Sequence, residues 1–383
     1  MYRPVSQYLV VSASAAIFLS ACTTRPTPPV TAPTATVITA PARVATTDPS
    51  PAVTATSIPP SPAPTSTPSR ALRDIKSGEG LVLVSEFPIR SSDYGVRMAF
   101  APFEPILYHN GPRVAIEGYN FEAGEVVFQL PGFSGYSPLL LVLSDDGRLL
   151  AAENGTELGI WELSTGDKLT SLRIAPVFSP FYAGFLGIDA FWAADYTGNV
   201  AVWETGNWDE TRRLDYWGNL NGVFVLPGSE AVAMLNRKGE LTIVNWNGEV
   251  ARSIPISAQW SQLLGLSPEG NLAMVNTNAG LYNEEVQVLN FETAEVSASF
   301  PAQAAKAFAV SDDWHLLAIA DARQIVRFID LESGEEFYSQ ELNALEIRQL
   351  AISPDGDYLA VYLLRGFGNP EGWIQIWARE PKP

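Results

Sequence analysis

The feature that most constrains this chain is a repeat. A short apolar strand and a small polar turn recur as Leu143-Ser144-Asp145-Asp146-Gly147, Leu266-Ser267-Pro268-Glu269-Gly270, Val310-Ser311-Asp312-Asp313-Trp314 and Ile352-Ser353-Pro354-Asp355-Gly356. The last two gaps between the serines are 44 and 42 residues, and the 123 residues from Ser144 to Ser267 make three periods of 41. Degenerate copies fill that interval at Gly187 and Pro227, and another lies upstream at Ala101, which gives seven starts. Each unit also holds an alternating strand ending near an aromatic or apolar residue: LGIWEL, VAVWET, LTIVNW, VQVLNF, VRFIDL and IQIWAR. A turn of glycine and an acid comes next, as in Gly124-Glu125, Gly166-Asp167, Gly248-Glu249 and Gly334-Glu335. Alternation of period two with β-branched residues reads as strand, and glycine supplies the positive φ of a tight hairpin. Four antiparallel strands in each unit of about 42 residues, seven times over, is the pattern of an all-β propeller.

The predicted blades are 98–131, 139–174, 183–216, 221–256, 261–300, 306–340 and 346–379. The seventh runs out of chain after its third strand, because Glu380-Pro381-Lys382-Pro383 cannot form a fourth. A lone strand, Gly80–Glu86, precedes the first blade. The arithmetic makes it the fourth strand of the last blade, so that the two ends of the fold share one sheet and no inner edge is left unpaired. These units resemble WD40 and related propeller repeats. IWEL and VWET are similar to the tryptophan-acid dipeptide of that family, and Asp195-Tyr196-Thr197-Gly198 resembles its hairpin between second and third strands. The usual Gly-His dipeptide is absent. The resemblance spans roughly residues 80–379 and implies an architecture without naming a ligand.

The propeller, assigned to residues 71–383, is preceded by two segments of different character. Residues 1–21 carry Arg3 and an uncharged, largely apolar run over 8–19, which is too short for a stable bilayer span and reads as a signal peptide. Leu19-Ser20-Ala21-Cys22 looks like a bacterial lipobox, and Cys22 is the only cysteine of the chain. That resemblance implies diacylglycerol on Cys22, often with a further acyl chain on its amino group. At ~0.8 kcal/mol per buried methylene, two or three chains anchor a protein stably. Residues 22–70 form the second segment. From Thr23 to Arg70 there are 13 Thr, 12 Pro, 8 Ala and 5 Ser and no aromatic residue. Such a composition cannot offset its own ordering entropy and reads as a disordered tether. The expected place of the protein is the cell envelope, lipid-anchored, with its head outside the cytoplasm. Contact with the membrane is expected through the lipid on Cys22.

Charge and residue counts exclude several function classes. A net charge of −18 does not suit nucleic acid, whose phosphates need clustered Lys and Arg. One cysteine and two histidines, His109 and His315, leave no disulfide framework, no cysteine zinc cluster and no His-rich metal site. No cofactor is expected. The Ser-Asp-Asp-Gly turns lack the ligand spacing of an EF-hand and read as hairpins. There is no P-loop or dinucleotide fingerprint, and Gly132-Phe133-Ser134-Gly135-Tyr136 fails as a nucleophile elbow at its last place. A glycosidase needs only two carboxylates at the right separation, so the many acids keep that class open. Trp161, Trp203 and Trp377 read as packing residues, His109 and His315 as structural, and Asp195 as a hairpin cap.

The remaining candidate is a surface. Connections from the fourth strand of one blade to the first of the next share a face and are aromatic here. They hold Tyr136, Phe181, Tyr182, Trp217 and Trp260, and the long loop with Arg365 and Phe367 lies on the same side. The reading is a non-catalytic binding or interaction scaffold for a protein, peptide or glycan, with a monomeric head. Two alternatives stand beside it. One is a carbohydrate-active hydrolase or lyase with paired carboxylates in the channel. The other is an envelope protein-assembly lipoprotein, by analogy of fold.

Overall fold

Strand segments of this protein pair with their chain neighbours, with one exception. The computed structural model describes residues 72, 80–89, 96–110, 115–131, 140–153, 158–173, 182–216, 218–229, 231–256, 261–277, 284–366 and 371–379. The chain divides into two units, Met1–Pro60 and Ser61–Pro383, and every described residue lies in the second. Seven four-stranded antiparallel sheets make up that unit. Their strands are lettered a to d in each blade.

Blade 1 comprises Met98–Phe100, Ile106–Asn110, Ala115–Asn120 and Glu125–Pro131. Blade 2 comprises Leu141–Leu143, Leu149–Glu153, Leu158–Glu162 and Lys168–Leu172. Blades 3 to 6 repeat the plan over Tyr182–Leu214, Leu220–Pro255, Gln262–Pro301 and Ala305–Glu341. Blade 7 has Glu346–Ile352, Tyr358–Arg365 and Glu371–Arg379 as strands a to c, and takes Leu81–Ile89 as strand d. Register runs from Leu81 opposite Arg379 to Ile89 opposite Gly372, with a bulge between Leu83 and Ser85. The ring closure expected from the repeat is therefore present, and its strand runs three residues beyond Glu86.

The core is divided among the blade interfaces. Each of seven apolar clusters joins two neighbouring sheets. Between blades 1 and 2, Tyr108, Ile116 and Leu130 meet Leu150 and Trp161. Between blades 7 and 1, Tyr362, Ile374 and Ile376 meet Met98 and Leu107. Strands b, and strands c of blades 2 to 4, are buried on both faces, which is why they read as near-continuous apolar runs. Strand d is wetter, as in Glu210–Leu214, where only Leu214 is buried. Trp161 and Trp203 are packing residues, as their place on alternating strands implies. Trp161 lies over Gly159 on the same strand. A Cβ there would sit 2.2 Å from the indole Cη2, so this strand needs glycine.

The repeated serine explains the period. Ser144, Ser311 and Ser353 donate from Oγ to Asp146, Asp313 and Asp355 at 2.6, 2.6 and 2.5 Å. The same oxygens accept the backbone N–H five residues on, at Leu149, Leu316 and Tyr358. Ser267 makes the same backbone contact to Leu272 but donates to Asn271. Each a–b turn thus satisfies its own buried groups locally. Gly147, Gly270 and Gly356 have φ near +70°, and Trp314 holds the same place in blade 6 at φ 58°.

Leu72 lies outside the strands yet is fully buried between blades 6 and 7, against Phe328, Leu350 and Leu359. Its N–H bonds to the carbonyl of Gly356 at 2.7 Å.

Candidate functional site

In an antiparallel blade the a–b and c–d turns share one edge, and the b–c and d–a connections share the other. The ring therefore has a lower face of short turns and an upper face of longer connections. Gly356 belongs to an a–b turn, so Leu72 brings the chain in at the lower face.

Of the residues expected on the upper face, Tyr136, Phe181, Trp217, Trp260 and Phe367 lie outside the described residues, as do Cys22 and the segments before the propeller. Tyr182 is half-buried against the cluster joining blades 3 and 4, and burial pushes its hydroxyl up to about 12. Arg365 sits at the end of strand b in blade 7 and is held in the closure. It donates to Glu86 at 2.9 Å and to the carbonyl of Asn343 at 3.2 Å, and it lies 5.4 Å from the Trp373 ring centre. Gln375 donates to the other Glu86 oxygen at 2.6 Å, and the Trp377 indole N–H donates to Gln375. The Arg365 hydrogen bond holds the Glu86 carboxyl below the usual carboxylate range; burial opposes it, and the Gln375 hydrogen bond and the Arg365 charge add to the lowering.

Two residues singled out by sequence have structural places. Asp195 is fully buried; its Oδ1 accepts the N–H groups of Thr197, Gly198 and Asn199 at 2.8 to 3.1 Å. It is the hairpin cap expected of it. His109 is 2% exposed, and burial lowers its pKa to about 4, so it is neutral at pH 7. Its ring lies 5.4 Å from that of Phe87 on the closing strand.

The lower half of the central channel contains a cavity with about 400 Å³ of free space. Strands a of blades 1, 2, 6 and 7 wall it with Phe100, Leu141, Leu143, Val310, Leu350 and Ile352. Pro102, Asp145, Asp312 and Pro354 stand at its mouth, one from each of the four a–b turns. Both carboxylates are open to solvent but ringed by protein, and both are raised. For Asp145 the causes are desolvation and then Asp146; for Asp312 they are desolvation, then Asp145, then Asp313. Sequence reasoning saw both acids only as hairpin residues. One signal was legible: the residue after the serine is proline in blades 5 and 7 and aspartate in blades 2 and 6. No cluster of three or more His, Cys, Asp or Glu that could hold a metal occurs among the described residues.

No family model and no curated protein matches the chain. Among solved structures it is similar to the β-propeller domain of Cps50 (Swd1) from Myceliophteria thermophila. The TM-score is 0.62 at 15% sequence identity, covering 78% of this chain and 99% of that chain. At that identity the likeness speaks to fold alone. Together with the seven sheets it defines the class: the chain holds a WD40-like seven-bladed β-propeller.

Proposed function

We propose that this protein is a lipid-anchored, extracytoplasmic propeller that binds a protein, peptide or glycan partner without transforming it. Propellers commonly serve as interaction scaffolds, and seven apolar clusters, each joining two neighbouring blades, give this one a rigid ring. One observation carries the reading. Leu72 is seated at the lower face, its N–H on the Gly356 carbonyl, so the folded part is joined to the preceding residues on the side opposite the long connections. A tether on Cys22 then holds the ring while the upper connections meet the partner, with Tyr136, Phe181, Tyr182, Trp217, Trp260 and Phe367 as the contact residues. Arg365 supports that rim through Glu86.

Labelling cells with a radioactive fatty acid tests the anchor. The chain takes up label, and Cys22→Ser abolishes both label and membrane fractionation. Probing peptide and glycan arrays with the full chain tests the binding face. A ligand retained by the wild type and lost by Trp217→Ala/Trp260→Ala, at unchanged melting temperature, supports it. Equal loss of stability and binding makes those aromatics packing residues.

A second reading has one observation in its favour. Asp145 and Asp312 line one cavity, and both are raised, so one could stay protonated as a general acid while the other ionises, as a carbohydrate-active hydrolase requires of its carboxyl pair. Polysaccharide turnover that disappears in Asp145→Asn and in Asp312→Asn would establish it.

A further inference from the structure

The described surface distributes its large apolar side chains unevenly. Of the exposed ones, all but Leu345 lie toward the lower edge. Phe103 and Ile188 are the most exposed, at 75% and 61%, and both stand at tips of a–b turns, in blades 1 and 3. Val126, Leu169, Val250 and Val296 sit at the lower ends of strands d. Phe103 occupies the place that an acid holds in the turns of blades 2, 5, 6 and 7, so the repeat does not require it. Pro102, next to Phe103 in the chain, lines the cavity together with Asp145 of the adjacent blade.

Charge says what such a face accepts. Every lower turn carries an acid among its described residues except the a–b turn of blade 4. Arg148 is the only Lys or Arg among the described residues of those turns, and it faces Asp146 and Glu162. At the cavity mouth the two acids are not part of the turn machinery. In blades 2 and 6 the serine bonds to the second aspartate, Asp146 or Asp313, while Asp145 and Asp312 are the first. No Lys or Arg among the described residues pairs with either. Two carboxylates beside apolar walls, without a basic partner among the described residues, repel one another, and a cation between them would relieve that repulsion. The apolar walls suit the methylene stem of a Lys or Arg whose head stays with the acids.

We propose that the lower mouth docks a basic, apolar-flanked polypeptide segment, one Lys or Arg side chain entering the cavity between Asp145 and Asp312 while neighbouring apolar side chains rest on Phe103 and Ile188. This is a surface distinct from the upper face and does not depend on the upper face binding anything. The neighbouring acids speed encounter, and the cavity supplies the selectivity.

The test uses the full chain in detergent and nonapeptide pools with randomised flanks. The central residue is Arg, Lys, citrulline or acetyl-lysine. Arg and Lys pools are expected to be retained at least tenfold more than their neutral counterparts, with apolar flanks enriched. Asp145→Asn/Asp312→Asn removes that preference, Phe103→Ser removes the flank enrichment, and Asp189→Asn, off the cavity, leaves both intact. Charged and neutral pools retained alike would overturn the proposal. So would a preference that survives the double variant, because diffuse attraction to the acidic face then accounts for it. Self-association in sedimentation that Phe103→Ser abolishes would assign the face to a second copy and overturn it as well.

Discussion

Blade 2 and blade 7 solve the same problem with different means. Blade 2 is one continuous segment whose strands are 3, 5, 5 and 5 residues long. Blade 7 joins two ends of the fold, and its strands b, c and d are 8, 9 and 9 residues long. The difference follows from chain entropy. The closing pair spans a loop roughly sixtyfold longer than the hairpin loops of blade 2, which costs about 4 kcal/mol more to close. Longer pairing offsets that cost, and side chains add to it. Glu86 is gripped by Arg365 and Gln375, and the N–H of Leu81 bonds to the Tyr338 hydroxyl of blade 6 at 3.1 Å. Blade 2 needs no such clasp, because local turns set its register. It relies on Ser144 and Asp146 at one turn and on the Gly159–Trp161 fit in strand c.

Removing the closing strand should disturb the ring most. A chain lacking residues 80–89 exposes the edge of Glu371–Arg379, and we expect loss of cooperative melting and self-association in light scattering. A chain that stays monomeric with an unchanged melting curve would mean the ring closes otherwise. Asp195→Ala comes next, outside both blades. It strands three backbone donors that now converge on a fully buried carboxylate, and about 3 kcal/mol of stability should be lost in denaturant titration. In blade 2, Gly159→Ala forces the indole of Trp161 from its place and should cost about 1–3 kcal/mol. The same substitution at Gly166, whose added Cβ meets nothing, strains only a turn at φ 74°.

Two smaller predictions concern charge and have opposite signs. Glu86 has a lowered pKa in the fold, so its contribution is present above the ordinary carboxylate range and is lost as pH falls through the folded value. The pair is about a quarter exposed, at 26% for Glu86 and 29% for Arg365. Screening then limits Glu86→Gln to about 1 kcal/mol at pH 7, and that variant should show a flatter acid limb of stability. Asp145 and Asp312 are raised, so they bind protons more readily folded than unfolded, and they favour the fold more as pH drops. Asp145→Asn/Asp312→Asn should therefore melt slightly higher than wild type at pH 7 and converge with it toward pH 4. A lower melting temperature at pH 7 would show that the two charges serve the fold.

The blade boundaries were legible because each unit is locally determined. The serine, the left-handed glycine and the alternating strand all lie within one period, and predicted and observed limits differ by a residue or two. The closure was legible by counting, since three strands at one end and one at the other leave a single pairing. What was not legible is whatever depends on distant residues meeting. Arg365 reads in sequence as part of an exposed loop, and only the register of strand d brings Glu86 to it. Asp145 and Asp312 belong to different blades, and two adjacent aspartates do not say which one the serine takes. Leu72 belongs to a stretch with no apolar pattern, yet it is fully buried, because blades 6 and 7 leave a gap its side chain fills. The aromatic connections of the upper face were legible as a composition; their arrangement lies outside the described residues.

The account rests most heavily on the ring being shut by its own beginning. Ser85 stands opposite Ile376 in that pairing. In a Cys22→Ser background, Ser85→Cys and Ile376→Cys should form a disulfide under mild oxidation, found as a linked peptide pair by mass spectrometry. Both thiols remaining free, while Ser85→Cys links instead to a cysteine placed in another blade, would contradict it.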